Sequence, residues 1–426
     1  MSAPTVAIVN HNGGADLPDC LASVRAQSLA PAELVVVDNR STDGSPELVG
    51  EARLIRLEQN LGYGGGANAA AAATVGDPLV ILNPDVCLRP DWLAAVAAAF
   101  EADPRLGVAG SKLLFPDGQT VQHAGGVVRA PLMLADHRRY GQPDDPTESE
   151  PLDVDYVTGA ALAVRRAALA EIGGFDEGFF LYFEETDLCR RARDAGWRVR
   201  YLPRAAAIHR ESAVVGRESG SYYRHYHRGR LRYALKHLAP AAFLVDFVPA
   251  ERARLPAVVS PDELLGLRRA YLDHACLLEL QDPLLAAAQP ELRPALADAL
   301  AGLAERAATT EPVGLAPAPP SDRLAGLARL EPRPFRSSLP GVAAFRSAWN
   351  WMSTRWYLVP ILDQQSRFNQ QAAGALAGVE ARLAALERRL ALQTALLAEI
   401  DRDLVALARR VAAGREEHAA EDDHSP

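Results

Sequence analysis

The stretch from Leu79 to Leu88, LVILNPDVCL, constrains the fold of this chain most strongly. Four apolar residues run directly into Asn83-Pro84-Asp85, which is typical of a short strand buried on both faces, as in a parallel sheet. Pro84 has no N–H to donate, so the strand should end there. Ligands of open α/β sheets bind beyond the carboxyl ends of the strands, and Asp85 is therefore a candidate for holding a hard cation. An acid in a turn without any function is the alternative.

Apolar runs of the same kind come earlier in the chain. Thr5–Val9, Leu34–Val37 and Leu54–Leu57 are typical of buried strands, and stretches with helical spacing lie between them. Strands that alternate with helices predict a parallel α/β sheet with right-handed crossovers. Asp38 directly follows the second run, so it should lie at the same edge of the sheet as Asp85.

The segment Asn60–Asn68, NLGYGGGAN, is predicted to be a glycine loop that leads into an alanine-rich helix. Gly62, Gly64 and Ala67 match GxGxxA, and Asp85 follows about 20 residues later, as in a dinucleotide-binding oxidoreductase. That fingerprint normally lies in the first βαβ unit, whereas two βα units precede it here. An oxidoreductase would also leave Asp38 and everything after residue 150 unexplained, so this class is disfavoured.

A second acidic centre follows an aromatic run. Glu184, Glu185 and Asp187 crowd the first turn of a predicted helix, where the macrodipole stabilises anions whether or not they have a function. The functional alternative is that one of these carboxylates takes a proton from a hydroxyl, with the aromatic residues as an apolar wall. His209 ends the last extended segment, and it is either structural or a metal ligand.

Composition narrows the classes of partner. A chain of 426 residues should form two or three units, and a net charge of −9 argues against a nucleic-acid binder, which needs a basic face. The four cysteines show no CxxC pair, so a reducing cytoplasm is expected. No apolar stretch approaches the roughly 20 residues that span a bilayer, so any membrane contact should be peripheral, at the inner face of the plasma membrane.

Several short motifs, taken in order, resemble one enzyme family. They are VAIVNHNGG, VVVDNRSTDGS, NLGYGGGAN, LVILNPDV, DYVTGA, GGFDEGFFLYFEETDLCRRARDAGW and AAIHR. From about Thr5 to His209 the chain resembles the inverting GT-A glycosyltransferases of family 2, and among them the bacterial rhamnosyltransferase-like branch. The resemblance implies an α/β GT-A fold, Rossmann-like, with a mostly parallel sheet and flanking helices.

The resemblance also implies roles for particular residues. Asp38 matches the acid that contacts the donor nucleoside, and Asp85 matches the retained metal-binding acid of a DxD motif whose first position is Asn83. Glu185 matches the catalytic base, with Glu184 and Asp187 as substitutes, and His209 matches a position that helps to hold the metal and diphosphate. The remaining residues expected to bind the nucleotide-sugar are Asn10, Asn12, Asn39, Asn60, Gly62, Asn68, Asn83 and Gly159.

The reaction implied is transfer of a sugar from a nucleoside diphosphate to a hydroxyl of a growing cell-surface glycan or lipid-linked acceptor. The resemblance implies dTDP-L-rhamnose as donor and Mg²⁺ or Mn²⁺ as cofactor, and galactofuranose is the competing sugar. A degenerate transferase domain that acts as a coiled-coil scaffold is the non-enzymatic alternative. A nucleotidyltransferase is disfavoured because Asn10-His11-Asn12 replaces a glycine-rich, basic phosphate loop.

The chain should divide into a GT-A domain over 1–215, a helical region over 216–308, a proline-rich linker over 309–340, an aromatic-rich segment with a coiled coil over 341–413 and a disordered tail over 414–426. Ser221–His237 is basic and aromatic, and either packs beside the sheet or contacts anionic lipids. Apolar residues from Leu376 to Val411 alternate steps of three and four, which predicts a coiled coil and a homo-oligomer. A single amphipathic helix folded back on the protein is the alternative.

Overall fold

The computed structural model describes residues 3–210, 220–279 and 293–310, all within one compact unit, Met1–Gly314. The linker beyond residue 310, the aromatic-rich segment, the coiled coil and the tail lie outside the described residues. The predictions for those segments, and for an oligomer formed through them, are therefore not tested by the structure.

The strands are β1 Thr5–Asn10, β2 Glu33–Asp38, β3 Arg53–Arg56, β4 Leu79–Leu82, β5 Val86–Leu88, β6 Leu106–Leu114, β7 Val121–His123, β8 Gly126–Arg129, β9 Leu134–His137, β10 Leu152–Asp153, β11 Ala161–Val164 and β12 Arg198–His209. The helices are α1 Asp16–Arg25, α2 Gly62–Ala73, α3 Trp92–Ala102, α4 Arg166–Ile172, α5 Glu184–Asp194, α6 Gly220–His237, α7 Pro240–Ala242, α8 Val248–Arg254, α9 Pro261–Glu279 and α10 Arg293–Thr309. A π-helical turn, Phe243–Phe247, joins α7 to α8.

The main sheet is mixed rather than wholly parallel. Its order is β10-β12-β6-β11-β4-β1-β2-β3, with β5 paired to β12 and β7 paired to β6. Strands β1 to β4 pair in parallel, but β11 is antiparallel to both β4 and β6. No helix separates β6 from β11, and a parallel return needs a long crossover, usually helical. The expectation of an α/β sheet with flanking helices is confirmed, but the sheet is mixed rather than mostly parallel, because β5, β7, β10 and β11 all pair antiparallel to their neighbours.

Strand β4 lies in the middle of the sheet, as its sequence predicts. Leu79 to Leu82 are fully buried, and their side chains alternate between two apolar clusters. Val80 and Leu82 pack with residues of α1 and α3, while Leu79 and Ile81 pack with residues of α2 and α5. The strand ends at Leu82, and the three residues between β4 and β5, Asn83 to Asp85, lie at the carboxyl end of β4.

The prediction of a glycine loop over 60–68 is wrong, because α2 begins at Gly62 and includes the glycines. Their function is close packing of this helix on its neighbours. A Cβ at Gly66 would lie 2.6 Å from a methyl of Val9, and one at Gly62, whose φ is +73°, would lie 2.1 Å from the carbonyl oxygen of Phe180. The glycines therefore allow the start of α2 to lie directly against the sheet and the segment before α5.

Local contacts define several of the element ends. Asp91 precedes α3, but its side chain makes no capping bond to that helix and accepts a hydrogen bond from Ser28. Residues Arg198–His209 form the single long strand β12. At the start of α9, the Glu263 N–H donates to the Ser260 hydroxyl at 3.2 Å, as a helix cap does.

Helix α6 is basic, but its charges point into the protein. Its cationic side chains bind acids or carbonyls of the same chain, namely Arg224 to Asp273, Arg228 to the carbonyls of Gly178 and Phe179, Arg230 to Glu251, and Arg232 and Lys236 to Asp176. These contacts favour packing beside the sheet over lipid binding for this helix. Within the described ranges, no helix is long and apolar enough to cross a bilayer.

A buried ion pair holds the helices of the helical region together. Arg230 of α6 and Glu251 of α8 are fully buried, and the guanidinium donates two hydrogen bonds to the carboxylate. The Tyr271 hydroxyl donates to the same carboxylate at 2.5 Å, which ties α9 into the cluster. Burial opposes ionisation, but the neighbouring guanidinium of Arg230 holds the pKa of Glu251 well below its usual range.

Glu251→Gln should lower the free energy of unfolding by about 3–5 kcal/mol, because it leaves the Arg230 guanidinium buried without a counter-charge. Urea-unfolding midpoints of the full-length protein measure this loss. Glu47→Gln is the matched control, since it removes an exposed partner of Arg56 and should leave the midpoint unchanged. Equal midpoints for Glu251→Gln and the wild type would contradict the assigned role of the cluster.

Candidate active site

Asn10 and Asp38 are brought together where β1 and β2 end. They are opposite each other in the parallel register, and the Asn10 amide donates to Asp38 at 3.2 Å. The same amide nitrogen contacts the hydroxyls of Ser41 and Ser45, and the Ser41 N–H donates to the Asp38 carboxylate. Asp38 is therefore a buried carboxylate held in one orientation at the edge of the sheet, as a contact to a donor nucleoside requires.

Asn12 holds the turn that follows Asp38. Its side-chain oxygen accepts from the Thr42 N–H at 2.8 Å, and its own N–H donates to the Ser41 hydroxyl. The residue has a φ of 55°, a backbone conformation that asparagine tolerates better than most residues. Asn12 thus shapes the loop around Asp38.

Both polar atoms of the Asn39 side-chain amide form hydrogen bonds at the start of α2. Its oxygen accepts from the Leu61 N–H at 2.8 Å, and its nitrogen donates to the Gly62 carbonyl at 2.8 Å. The Asn60 side chain accepts from the Gly62 N–H. In this structure Asn39 and Asn60 fix the helix beside Asp38, and their predicted contact with the nucleotide-sugar has no separate support.

Asn68 and Gly159 also have structural partners. Asn68 exchanges hydrogen bonds with the backbone of Phe175 and donates to Glu177, so it fastens α2 to the segment that leads towards α5. The Gly159 carbonyl accepts from the Tyr63 hydroxyl at 2.5 Å, and a Cβ at Gly159 would lie about 3.0 Å from that ring. Both residues shape the walls between α2 and the acidic helix.

Asp85 and His209 meet at the ends of neighbouring strands. Asp85 directly precedes β5, His209 ends β12, and His209 pairs with Val86 in the antiparallel register. The Nε2 atom of His209 lies 3.3 Å from Oδ1 of Asp85, and both side chains are largely buried. Asn83 lies at the same turn, where its N–H donates to the Ala160 carbonyl.

This pair fits a divalent cation. Two ligand atoms bound side by side at about 2.1 Å from one metal lie roughly 3 Å apart, close to the separation seen here. Within residues 3–210, 220–279 and 293–310, no cluster of three or more His, Cys, Asp or Glu forms a complete cage. Mg²⁺ usually binds through one or two carboxylates together with substrate phosphates, and Asp85 and His209 are the residues that would hold such an ion here.

Glu184 and Glu185 form the acidic start of α5. Glu184 is 4% exposed, and its Oε2 atom is buried with no hydrogen-bond partner among the residues that the structure describes. Burial raises the pKa of Glu185 to about 7. Burial, with the nearby charge of Glu185, also raises the pKa of Glu184 well above its usual range. A carboxyl group that ionises near neutral pH is suited to accept a proton from a substrate hydroxyl.

Asp187 differs from its two neighbours because basic side chains surround it. The His237 Nε2 donates to it at 2.7 Å, the Arg191 Nε at 2.7 Å and the Lys236 Nζ at 3.0 Å. Burial alone would raise its pKa, but the hydrogen bond from His237 and the charges of Arg191 and Lys236 lower it to about 2. A carboxylate this weakly basic is a poor proton acceptor, so Asp187 is better suited to anchoring α5 on α6.

The segment before α5 is held in an unusual conformation. Phe180, Tyr182 and Phe183 all have positive φ angles, between 65° and 73°. The Phe180 carbonyl accepts from the Tyr63 N–H at 2.9 Å, and its ring stacks on His225. Strained backbone of this kind persists where the surrounding structure over-determines it, often at active sites. The rings of Tyr182 and Phe183 contact Tyr222 and Tyr226, so the aromatic run packs on α6 just before the acidic residues.

Comparison with known proteins then identifies the family. Residues 5–173 match the family profile described as Glycosyl transferase family 2. The N-acetylglucosaminyl-diphospho-decaprenol L-rhamnosyltransferase of Mycobacterium tuberculosis is 31% identical over 250 residues, covering 53% of this chain and 81% of that protein. The chain belongs to glycosyl transferase family 2. It is a glycosyltransferase of the rhamnosyltransferase-like branch, as the sequence motifs predict.

Further matches occur among other known proteins and among solved structures. Rhamnosyltransferase WbbL of Escherichia coli is 28% identical, over 38% of this chain and 62% of that protein. Among solved structures, GalNAc-T7 with UDP, GalNAc and Mn²⁺ has a TM-score of 0.44 and 20% identity, over 55% of this chain and 50% of that one. The family match includes Asp38 and Asp85, whereas Glu185 and His209 lie beyond its last residue.

The sequence analysis missed residues that support the site. Lys236 and His237, which hold Asp187, lie about 50 positions further along the chain, in a helix with no catalytic motif. Gln122, whose side-chain oxygen lies 2.7 Å from Nδ1 of His209, stands in the uninformative stretch TVQHAGG. None of these three residues has a local sequence pattern that would have revealed its role, because all three act through contacts made only in the folded chain.

Glu185→Gln should stabilise the protein above neutral pH. In the unfolded chain Glu185 ionises near 4.5, whereas the folded protein keeps the proton until about pH 7. The unfolded state therefore binds fewer protons in this window, and the stability of the wild type falls as pH rises from about 4.5 to 7. Urea midpoints at pH 5 and pH 8 should separate the two proteins only at the higher pH.

Glu58→Gln, at an exposed glutamate, is the control and should match the wild type at both pH values. A Glu185→Gln protein that is no more stable than the wild type at pH 8 would show that Glu185 ionises normally.

Proposed function

We propose that this glycosyltransferase transfers its sugar with inversion at the anomeric carbon, assisted by a divalent metal, with Glu185 as base. The observation that carries the proposal is the carboxyl pair at the start of α5, where burial tunes Glu185 to accept a proton near neutral pH. Asp38 at the end of β2 supports a nucleoside subsite. Asp85 and His209 support a diphosphate subsite, where Mg²⁺ or Mn²⁺, when bound, supplies positive charge to the leaving diphosphate.

In the reaction, Glu185 accepts the proton of an acceptor hydroxyl as that oxygen bonds to the anomeric carbon. The bond from this carbon to the diphosphate breaks on the opposite face, and the electron pair leaves with the diphosphate. A single displacement inverts the configuration and needs no covalent intermediate.

For the donor we propose dTDP-L-rhamnose, and for the acceptor a hydroxyl of a growing cell-surface glycan or a lipid-linked precursor. Support comes from the printed names of relatives, which include an L-rhamnosyltransferase that acts on a decaprenol-linked sugar. A galactofuranose donor is the competing proposal. We place the reaction in the cytoplasm, with a lipid-linked acceptor as the reason for any peripheral membrane contact. The scaffold alternative is disfavoured because Asp38, Asp85, Glu185 and His209 are all retained.

A donor screen tests this proposal. Purified full-length protein with Mn²⁺ should release the nucleoside diphosphate from dTDP-L-rhamnose faster than from UDP-galactofuranose or other dTDP- and UDP-sugars. Faster release from UDP-galactofuranose would replace the rhamnose proposal. No release from any donor, with or without a lipid-linked glycan acceptor, would favour the scaffold alternative.

Glu185→Gln should lower the transfer rate by at least about 100-fold, because positioned general bases contribute roughly 10²–10⁴-fold, while donor binding stays unchanged. For the wild type, the rate should rise with pH through about 7, as Glu185 loses its proton. Glu58→Gln should behave as the wild type. A Glu185→Gln protein that keeps the wild-type rate would exclude Glu185 as the base.

A further inference from the structure

Gln122 occupies a β-bulge beside the metal-binding pair. Between β6 and β7, Leu113 lies opposite His123 and Leu114 lies opposite Val121, so Gln122 is the extra residue with no partner across the ladder. Bulges of this kind are common next to active sites, where they redirect a side chain. Here β7 pairs with β6, β6 with β12 and β12 with β5, which places Gln122, His209 and Asp85 along one edge of the sheet.

The Gln122 carboxamide contacts the imidazole of His209 directly. Its Oε1 lies 2.7 Å from the His209 Nδ1, and the Gln122 residue is 3% exposed. An amide oxygen only accepts hydrogen bonds, so the imidazole must carry a proton on Nδ1. In the neutral ring this leaves Nε2 without a proton, as a lone pair that faces Oδ1 of Asp85 at 3.3 Å.

We propose that Gln122 is the positioning residue for His209. It fixes the ring orientation and the Nδ1–H tautomer, so that Nε2 is presented beside Asp85 as a ligand for a divalent cation. The inference rests on the metal-assisted function proposed above and extends it to a residue outside the family motifs. Metal-ligating histidines typically donate their other ring N–H to a neighbouring acceptor, and Gln122 provides that acceptor here.

The remaining polar atom of Gln122 is Nε2, which is buried and has no hydrogen-bond partner among the described residues. The orientation of the amide is set by the contact of its oxygen with His209. The opposite amide orientation would place the nitrogen on Nδ1 as a donor, move the ring proton to Nε2 and let that nitrogen donate to the Asp85 carboxylate without a cation.

The tautomer of His209 distinguishes these two arrangements. Full-length protein with ¹⁵N-labelled histidine at pH 8, with the His209 signals assigned by their loss in His209→Gln, should show a protonated Nδ1 and an unprotonated Nε2. Gln122→Met removes the acceptor at similar length and should abolish this preference, whereas Gln122→Glu keeps an acceptor and should retain it. A protonated Nε2 in the wild type, or an unchanged tautomer in Gln122→Met, would overturn the proposal.

Binding of Mn²⁺ alone, measured from the EPR signal of the free ion, gives a second readout. Gln122→Met should weaken binding by about 10–100-fold, the effect usual for an outer-shell partner. Gln122→Glu should bind at least as tightly as the wild type, and Gln142→Met, at an exposed glutamine, should match it. Wild-type affinity in Gln122→Met, or equal losses in Gln122→Met and Gln122→Glu, would contradict the role.

Neither readout depends on sugar transfer. If the donor screen failed while the tautomer and the Mn²⁺ affinities behaved as expected, the positioning role of Gln122 would stand and the proposed reaction would fall. If transfer occurred but the Gln122 variants had no effect on His209, the reverse would hold.

Discussion

The desolvation of two adjacent carboxyl groups, the buried Glu184 and the partly buried Glu185, is the constraint on which the site depends. Desolvation disfavours their charged forms, and each would be more stable at neutral pH if it were exposed. The fold maintains this unfavourable arrangement through contacts on the same helix turn, where Asp187 binds Lys236 and His237. The fully paired Asp187 keeps α5 in place, while the neighbouring desolvated Glu185 remains able to accept a proton.

Helices α2 and α6 both contact the segment that leads into α5. Helix α6 supplies Arg228 to the carbonyls of Gly178 and Phe179, and Lys236 and His237 to Asp187. On the opposite side, Asn39 fixes α2, whose Tyr63 N–H holds the Phe180 carbonyl. The aromatic segment and the acidic start of α5 are therefore held both by α2 and by α6. These contacts explain how the acidic side chains keep their geometry next to backbone with positive φ angles.

Much of the sheet could be predicted because its signals are local. The apolar run of β4 and the proline after it define a buried strand and its end, and the apolar run of β2 likewise places Asp38 at the end of that strand. The glycines of α2 led to the wrong prediction of a loop. Glycine is common in loops because of its conformational freedom, but here it allows close packing against Val9 and Phe180. The pairing of Asp85 with His209, and the roles of Gln122 and Lys236, depend on strand order and helix docking, which no short motif encodes.

Direct titration of Glu185 tests the central claim about the acid pair. The carboxyl ¹³C signal of Glu185, assigned by its loss in Glu185→Gln and followed from pH 4 to pH 9 in the full-length protein, reports its ionisation without any substrate. A midpoint near pH 7 is the predicted result. A midpoint near 4.5, the ordinary value for glutamate, would show that burial does not tune this group and would contradict the account of the base.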